Sequence, residues 1–229
     1  MVNPIIDGHV LSEIPLASFI SGKVVDVPML AGNVGNEGSG LPHLTSIDDY
    51  RAYVNATFGG YADEALRIYP VASDSEAWVL SNQLLADQVF VYSTWTAARL
   101  QARNLKSPVW YYKFERAPPI PPNSEIIERT FAGAFHVAGT PYAFGNLDAL
   151  QWNWTDGDKS LSKDVMAAWV SFLKSKNPSI EKANHGEWLK LSPSNHSVKV
   201  WDVDSRPELV EPQFSEMISL WDKLYGVTV

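Results

Sequence analysis

Two ionisable side chains in glycine-rich segments, Glu37 and His136, could carry out acid–base chemistry together. A histidine can take a proton from a nucleophile, and a carboxylate can hold that histidine in the required tautomer and stabilise its cation. Serine hydrolases combine these two groups with a serine, which is commonly exposed by a strained Gly-x-Ser-x-Gly turn. No Gly-x-Ser-x-Gly occurs among the 229 residues. The sequence therefore contains candidates for two of the three groups of a catalytic triad.

The local sequence around each of these residues leaves a second interpretation open. Glu37 lies in a loop whose glycines allow sharp turns, and this pattern also fits a solvated acid. His136 is flanked by glycines and aromatic residues, and it fits equally well a core histidine satisfied by backbone groups. None of the other four histidines pairs at the i, i+4 spacing of a helical metal site. We expect all four to be structural or solvated: His9, His43, His185 and His196.

Alternating strand-like and helix-like segments predict an α/β architecture with a largely parallel sheet. Runs of branched and aromatic residues predict three strands, at 24–31, 108–114 and 198–203. A capping box at Ser73 and Glu76 predicts a helical stretch that continues to about Arg103. Apolar stripes over 161–173 and 214–225 predict two further helices. Three strands make a poor parallel sheet, so we expect this sheet to be the end of a larger one.

Composition limits the partners of the chain. The formal net charge of −8 disfavours nucleic acid, and the absence of any run of eighteen apolar residues predicts no membrane span. Disulfides, thiolate metal sites and cysteine nucleophiles are excluded because there is no cysteine. The first residues lack the basic start and apolar stretch of a secretory signal. Three N-x-[ST] sequons, of the kind glycosylated in secreted proteins, occur at Asn55, Asn153 and Asn195.

Several segments, taken in order, resemble the C-terminal portion of the type B carboxylesterases, the family that also contains the cholinesterases and many fungal lipases. The resemblance runs over nearly the whole chain. It rests on a P-x-x-D-G segment at 4–8, a strand and acid loop at 27–38, a D-x-x-F at 87–90, a strand at 108–114, a G-A-x-H loop at 133–145, and a tail with Trp169, Phe172, Asn177-Pro178 and Trp188. Any one of these segments is weak support, whereas their common order is specific.

The resemblance implies that residues 1–229 are the C-terminal part of a single α/β-hydrolase domain, incomplete without an N-terminal half. It also implies a carboxylic ester hydrolase that acts on a small-molecule ester through an acyl-enzyme, with Glu37 as the acid and His136 as the base. The serine elbow and the oxyanion donors would belong to the N-terminal half. Triad hydrolysis requires no cofactor or metal. Together with the sequons, the resemblance favours an extracellular location.

Two positions after His136 depart from the family pattern. The family usually carries glycine directly after the histidine and an acid two positions later, whereas this chain has Val137 and Gly139. We therefore expect the support around His136 to be altered. Two alternatives remain open: a non-catalytic binding or adhesion module, and a truncated remnant without independent activity. The chain alone is expected to be inactive, and a half sheet should expose an apolar surface and an open edge.

Overall fold

A four-stranded mixed sheet forms the centre of the fold. A computed structural model gives the structure of residues 5–122, 124, 133–180, 187–210 and 212–228. The strands are β1 (Met29–Val34), β2 (Val109–Phe114), β3 (Ser197–Trp201) and β4 (Arg206–Leu209), and they lie in the order β1-β2-β3-β4. The first three are parallel and β4 is antiparallel to β3. The predicted parallel sheet is confirmed, and the antiparallel fourth strand is an addition to it.

Helices cover both faces of this sheet. The α-helices of the described residues are α1 (Pro15–Ser21), α2 (Ile47–Phe58), α3 (Ala62–Ile68), α4 (Asp74–Ala86), α5 (Tyr92–Asn104), α6 (Thr140–Ala143), α7 (Asp156–Ser175) and α8 (Pro212–Tyr225). A π-helical turn at Asp87–Val91 joins α4 to α5, and a 3-10 turn lies at Glu37–Gly40. None of the helices in these ranges is long and apolar enough to cross a bilayer.

Local sequence signals set where the long helices begin. The Ser73 hydroxyl accepts a hydrogen bond from the Glu76 amide at 3.3 Å, so the predicted cap begins α4. Through the π turn the helical stretch continues to Asn104, close to the predicted end. A reciprocal capping box begins α7: the Thr155 side chain accepts from the Asp158 amide, and the Asp158 carboxylate accepts from the Thr155 amide.

The first strand starts later than the sequence predicts. Pro28 has no amide hydrogen to donate to a ladder. Pairing therefore begins at Met29, whose amide donates to the Pro108 carbonyl at 3.0 Å. β1 then runs beyond the predicted end to Val34, which is in register with Phe114. This parallel register brings the ends of β1 and β2 to the same edge of the sheet.

Alternation along the strands divides the interior into two cores. Tyr111 of β2 points to the face covered by α2–α5 and α8, where Leu84 and Trp221 are buried. Trp110 and Phe114 point to the opposite face, which is covered by α7 and the segment around His136. Because both faces are apolar over most of its length, β2 has a nearly continuous apolar sequence, interrupted by the exposed Lys113.

The outer edge of β1 has no strand partner among the described residues. No residue of helix α1 is fully buried. Exposed aliphatic side chains lie throughout the segment before β1, at Ile5, Ile6, Val10, Ile14, Ile20, Val25 and Val27. An open edge and an exposed apolar segment are the features expected of a sheet that continues beyond this chain.

A buried carboxylate fixes the junction between α4 and the π turn. The Asp87 side chain, in a residue that is 2% exposed, accepts hydrogen bonds from the Tyr69 hydroxyl and the Gln83 amide, each at 2.9 Å. The Trp221 indole N–H in turn donates to the Tyr69 oxygen at 3.0 Å. Burial raises the pKa of Asp87 from 3.8 to about 6.

This raised pKa predicts a specific dependence of stability on pH. Between about pH 4 and pH 6 the unfolded chain ionises at Asp87 while the native chain retains the proton, so the free energy of unfolding falls as the pH rises. The loss should be roughly 2 to 3 kcal/mol, and Asp87→Asn should remove it. Urea denaturation from pH 4 to pH 7 measures this difference. The exposed Asp63→Asn is the matched control, and identical pH profiles for Asp87→Asn and the wild type would contradict the prediction.

Candidate active site

The acid lies in a tight loop after β1. The Gly35 amide continues the β1–β2 ladder by donating to the Phe114 carbonyl at 2.8 Å, and Glu37 begins the 3-10 turn that follows. At Gly38 the chain passes so close to α4 that an added Cβ would overlap Asn82. A glycine is therefore required at position 38 because the loop packs directly against a helix there.

Both oxygens of the Glu37 carboxylate are engaged. Oε1 accepts hydrogen bonds from the Val34 amide at 2.8 Å and from the Asn33 side-chain amide at 3.3 Å. The other oxygen, Oε2, lies 2.6 Å from Nδ1 of His136. The hydroxyl of the buried Tyr111 donates to Oδ1 of Asn33. Glu37 is buried, so the structure excludes the interpretation of a solvated acid.

The base is held by the loop that carries the acid. The Asn36 amide donates to the Ala134 carbonyl at 2.8 Å, and the His136 amide donates to the Ser39 hydroxyl at 2.8 Å. The Phe90 ring, in the π turn, stacks on the imidazole with a centroid distance of 4.6 Å and an interplanar angle of 29°. The backbone and the ring of His136 are therefore each fixed by separate contacts.

The two side chains differ sharply in exposure. The Glu37 side chain retains 8% of its accessible surface and the His136 side chain retains 42%. With Nδ1 against the carboxylate, Nδ1 carries the hydrogen of the neutral imidazole and Nε2 is left with the lone pair. A proton taken up at Nε2 would produce an imidazolium stabilised by Glu37. The pair can therefore act as an oriented base that is open on one side.

Three residues that support Glu37 and His136 could not be recognised as site residues from the sequence. Asn33 and Ser39 are small polar residues beside glycines, and Tyr111 resembles any other aromatic residue of a buried strand. Phe90 belongs to the D-x-x-F segment, but nothing in this motif indicates that its ring stacks on an imidazole. Except for the bond from Asn33 to Glu37, which spans four residues, these contacts join segments that are distant in sequence.

The other described histidines lie outside this arrangement. His9 and His196 are exposed, and His43 stacks on Trp78 with Nδ1 3.1 Å from the Trp78 carbonyl oxygen. These environments fit the prediction of structural or solvated histidines. His185 lies outside the described residues, as does Pro4 of the P-x-x-D-G segment. Within the described ranges, no three His, Asp or Glu side chains gather in a way that could hold a metal ion.

Comparison with known protein families assigns the chain that contains Glu37 and His136. The sequence profile of the Carboxylesterase family matches residues 1–221, a range that contains both Glu37 and His136. The chain belongs to the carboxylesterase family. The resemblance inferred from the order of the sequence segments is therefore confirmed.

Individual carboxylesterases support this assignment. The chain is 28% identical over 192 residues to Para-nitrobenzyl esterase of Bacillus subtilis (strain 168), covering 79% of this chain and 36% of that protein. It is 30% identical over 186 residues to Fumonisin B1 esterase of Sphingopyxis macrogoltabida, covering 75% of this chain and 32% of that protein. The solved structure of a PNB esterase superposes with a TM-score of 0.73 at 26% identity, covering 94% of this chain and 43% of the other.

These matches confirm the predicted fold as part of an α/β hydrolase, with a mostly parallel sheet flanked by helices. The chain spans about a third of the length of the two curated relatives and less than half of the solved structure.

The two departures from the carboxylesterase pattern have physical consequences. Val137 takes the place of the usual glycine and has a φ of +70°, a conformation that is unfavourable for a β-branched residue. The glycine of other carboxylesterases would adopt it without strain. At Gly139, a Cβ would lie 3.3 Å from the Phe114 ring, so this tightly packed position suits a residue without a side chain.

The strain at Val137 predicts a stabilising substitution. Val137→Gly should raise the free energy of unfolding by about 0.5 to 1 kcal/mol, because relief of the left-handed backbone outweighs the added freedom of the unfolded chain. Val137 is 56% exposed, so little packing is lost. Urea denaturation measures the change. Val25→Gly, at an exposed valine without positive φ, should instead destabilise, and a loss of stability in both variants would contradict the prediction.

Proposed function

We propose that this chain supplies the acid and the base of a Ser-His-Glu triad in a carboxylic ester hydrolase. The observation that carries the proposal is the 2.6 Å contact between Nδ1 of His136 and Oε2 of Glu37. This is the orientation of base and acid that activates a serine hydroxyl. The half-exposed imidazole beside a buried carboxylate supports the same assignment.

In the proposed reaction, Nε2 of His136 removes the proton of a serine hydroxyl while the serine oxygen attacks the ester carbonyl. The resulting imidazolium returns the proton to the alkoxy oxygen as the ester C–O bond breaks, which releases the alcohol and leaves an acyl-serine. Water then repeats the sequence and releases the carboxylic acid. Throughout, Glu37 keeps Nδ1 protonated and stabilises the transient cation.

The serine and the oxyanion donors are proposed to belong to an N-terminal half that completes a single domain with residues 1–229. The open edge of β1 and the exposed aliphatic side chains of segment 5–27 support such a partner. The relatives matched here are about two to three times as long as this chain, which is a second support. A small-molecule ester is the proposed substrate class, as the names of the two esterase relatives suggest.

We also propose an extracellular location, for which two of the three sequons provide support. Asn55 and Asn153 are exposed, whereas the Asn195 side-chain amide donates to the Lys190 carbonyl at 3.2 Å. Expression through a secretory pathway should therefore add glycans at Asn55 and Asn153, detectable as a mass shift removed by a glycosidase. A secreted chain without glycans at Asn55 and Asn153 would contradict the prediction.

A chimera tests the triad assignment directly. The N-terminal region of the Bacillus subtilis esterase, joined to this chain, should hydrolyse p-nitrophenyl acetate, whereas this chain alone should not. In the chimera, His136→Ala should lower kcat by roughly a thousandfold or more. Glu37→Gln preserves the size of the side chain but removes its charge, and should lower kcat by roughly a hundredfold to ten-thousandfold.

The matched control is His196→Ala, at an exposed histidine that should leave kcat unchanged. Hydrolysis by this chain alone that disappears with His136→Ala would contradict the separate origin of the nucleophile. A folded chimera without activity, or one whose activity is indifferent to His136→Ala, would favour a non-catalytic binding module instead.

A further inference from the structure

A buried carboxylate behind the histidine segment joins three parts of the fold. Asp158, whose side chain is fully buried, lies in the first turn of α7. Its Oδ1 accepts from Nε of Arg116 at 2.7 Å and from the Tyr142 hydroxyl at 2.8 Å. Its Oδ2 accepts from the Thr155 hydroxyl at 2.6 Å and the Thr155 amide at 2.9 Å. Asp158 thus connects the residues after β2, the helix α6 and the beginning of α7.

This number of bonds exceeds what a helix cap requires. A capping carboxylate needs only the bonds to Thr155, whereas Arg116 and Tyr142 add a cation and a hydroxyl from elsewhere. Burial alone would raise the pKa of Asp158, but the hydrogen bonds from Arg116, Thr155 and Tyr142 lower it to about 2. Asp158 is therefore an anion at any pH at which the enzyme would work, and its hydrogen bonds are charge-assisted.

Tyr142 links Asp158 to the segment that carries His136. It follows His136 by six residues, and its backbone carbonyl accepts from the Ser162 hydroxyl of α7 at 3.0 Å. The Tyr142 ring is buried against Phe114 of β2. The segment between His136 and Tyr142 includes the strained Val137, and both of its ends are hydrogen-bonded to other parts of the fold. At one end the Ser39 hydroxyl accepts from the His136 amide, and at the other end Asp158 accepts from the Tyr142 hydroxyl.

We infer that Asp158, acting through Tyr142 with Arg116 as its counter-ion, is a positioning residue for His136. The inference rests on the proposed function, in which His136 is the base. Asp158 does not touch the imidazole. It fixes the backbone from which the imidazole reaches Glu37, so its loss should loosen the contact between Nδ1 and Oε2 while the sheet remains intact.

Proton NMR of the 229-residue chain tests this without any nucleophile or substrate. The short contact between Nδ1 and Oε2 should produce a low-field proton signal, assigned by its loss in Glu37→Gln. In Tyr142→Phe, which keeps the buried ring, this proton should exchange with water about tenfold faster, as expected from the loss of one charge-assisted hydrogen bond. Asp158→Asn should have an equal or larger effect.

Each control repeats one of the two chemical changes at an exposed residue. Asp156→Asn alters an exposed carboxylate in the same helical turn, and Tyr61→Phe removes an exposed hydroxyl. Both should leave the exchange rate unchanged, and urea denaturation identifies the variants that remain folded. An unchanged signal and exchange rate in folded Tyr142→Phe would overturn the inference. The NMR signal reports the contact between Nδ1 and Oε2 and not hydrolysis. An inactive chimera would therefore contradict the proposed function but leave the measured exchange rates unaffected.

Discussion

The contact between His136 and Glu37 depends on the parallel pairing of β1 and β2. The two residues are 99 positions apart, yet each lies in a loop after one of these adjacent strands. Because the strands are parallel and in register up to Val34 and Phe114, both loops leave the sheet at the same edge. In α/β sheets this is the edge where ligands bind. An antiparallel or shifted β2 would separate the two side chains.

Glu37 and His136 lie in different environments, since the acid is buried and the base is half-exposed. Glu37 is removed from water, but hydrogen bonds from Val34 and Asn33 and the contact with His136 compensate its burial. In water the carboxylate would be screened, and its hold on the imidazole would be weak. Conversely, an imidazole enclosed on all sides by this chain could not receive a proton from a nucleophile of another segment. The structure combines a sealed acid with an open base, which is the asymmetry that proton transfer requires.

Local patterns allowed the long elements to be predicted, whereas contacts between distant segments could not be predicted. β2 and the helices follow from apolar periodicity and from caps such as Ser73. The late start of β1 depends on a ladder that Pro28 cannot join, and β4 exists only as a partner of β3. For Glu37 and His136, local sequence left two interpretations open, and only the order of segments along the chain favoured one of them.

The open edge of β1 limits where the rest of the proposed triad can lie. A further strand that pairs in parallel with β1 would end beside the loop of Glu37, just as β2 ends beside it on the other side. A residue presented from that end would lie at the same edge of the sheet as Glu37 and His136. Such pairing would also bring chain across the exposed aliphatic side chains before β1, such as Val25 and Val27. Docking of such a strand would therefore bury the apolar segment, extend the ladder and complete the proposed site in one step. Under this proposal, the contacts that stabilise the sheet edge are also those that assemble the triad.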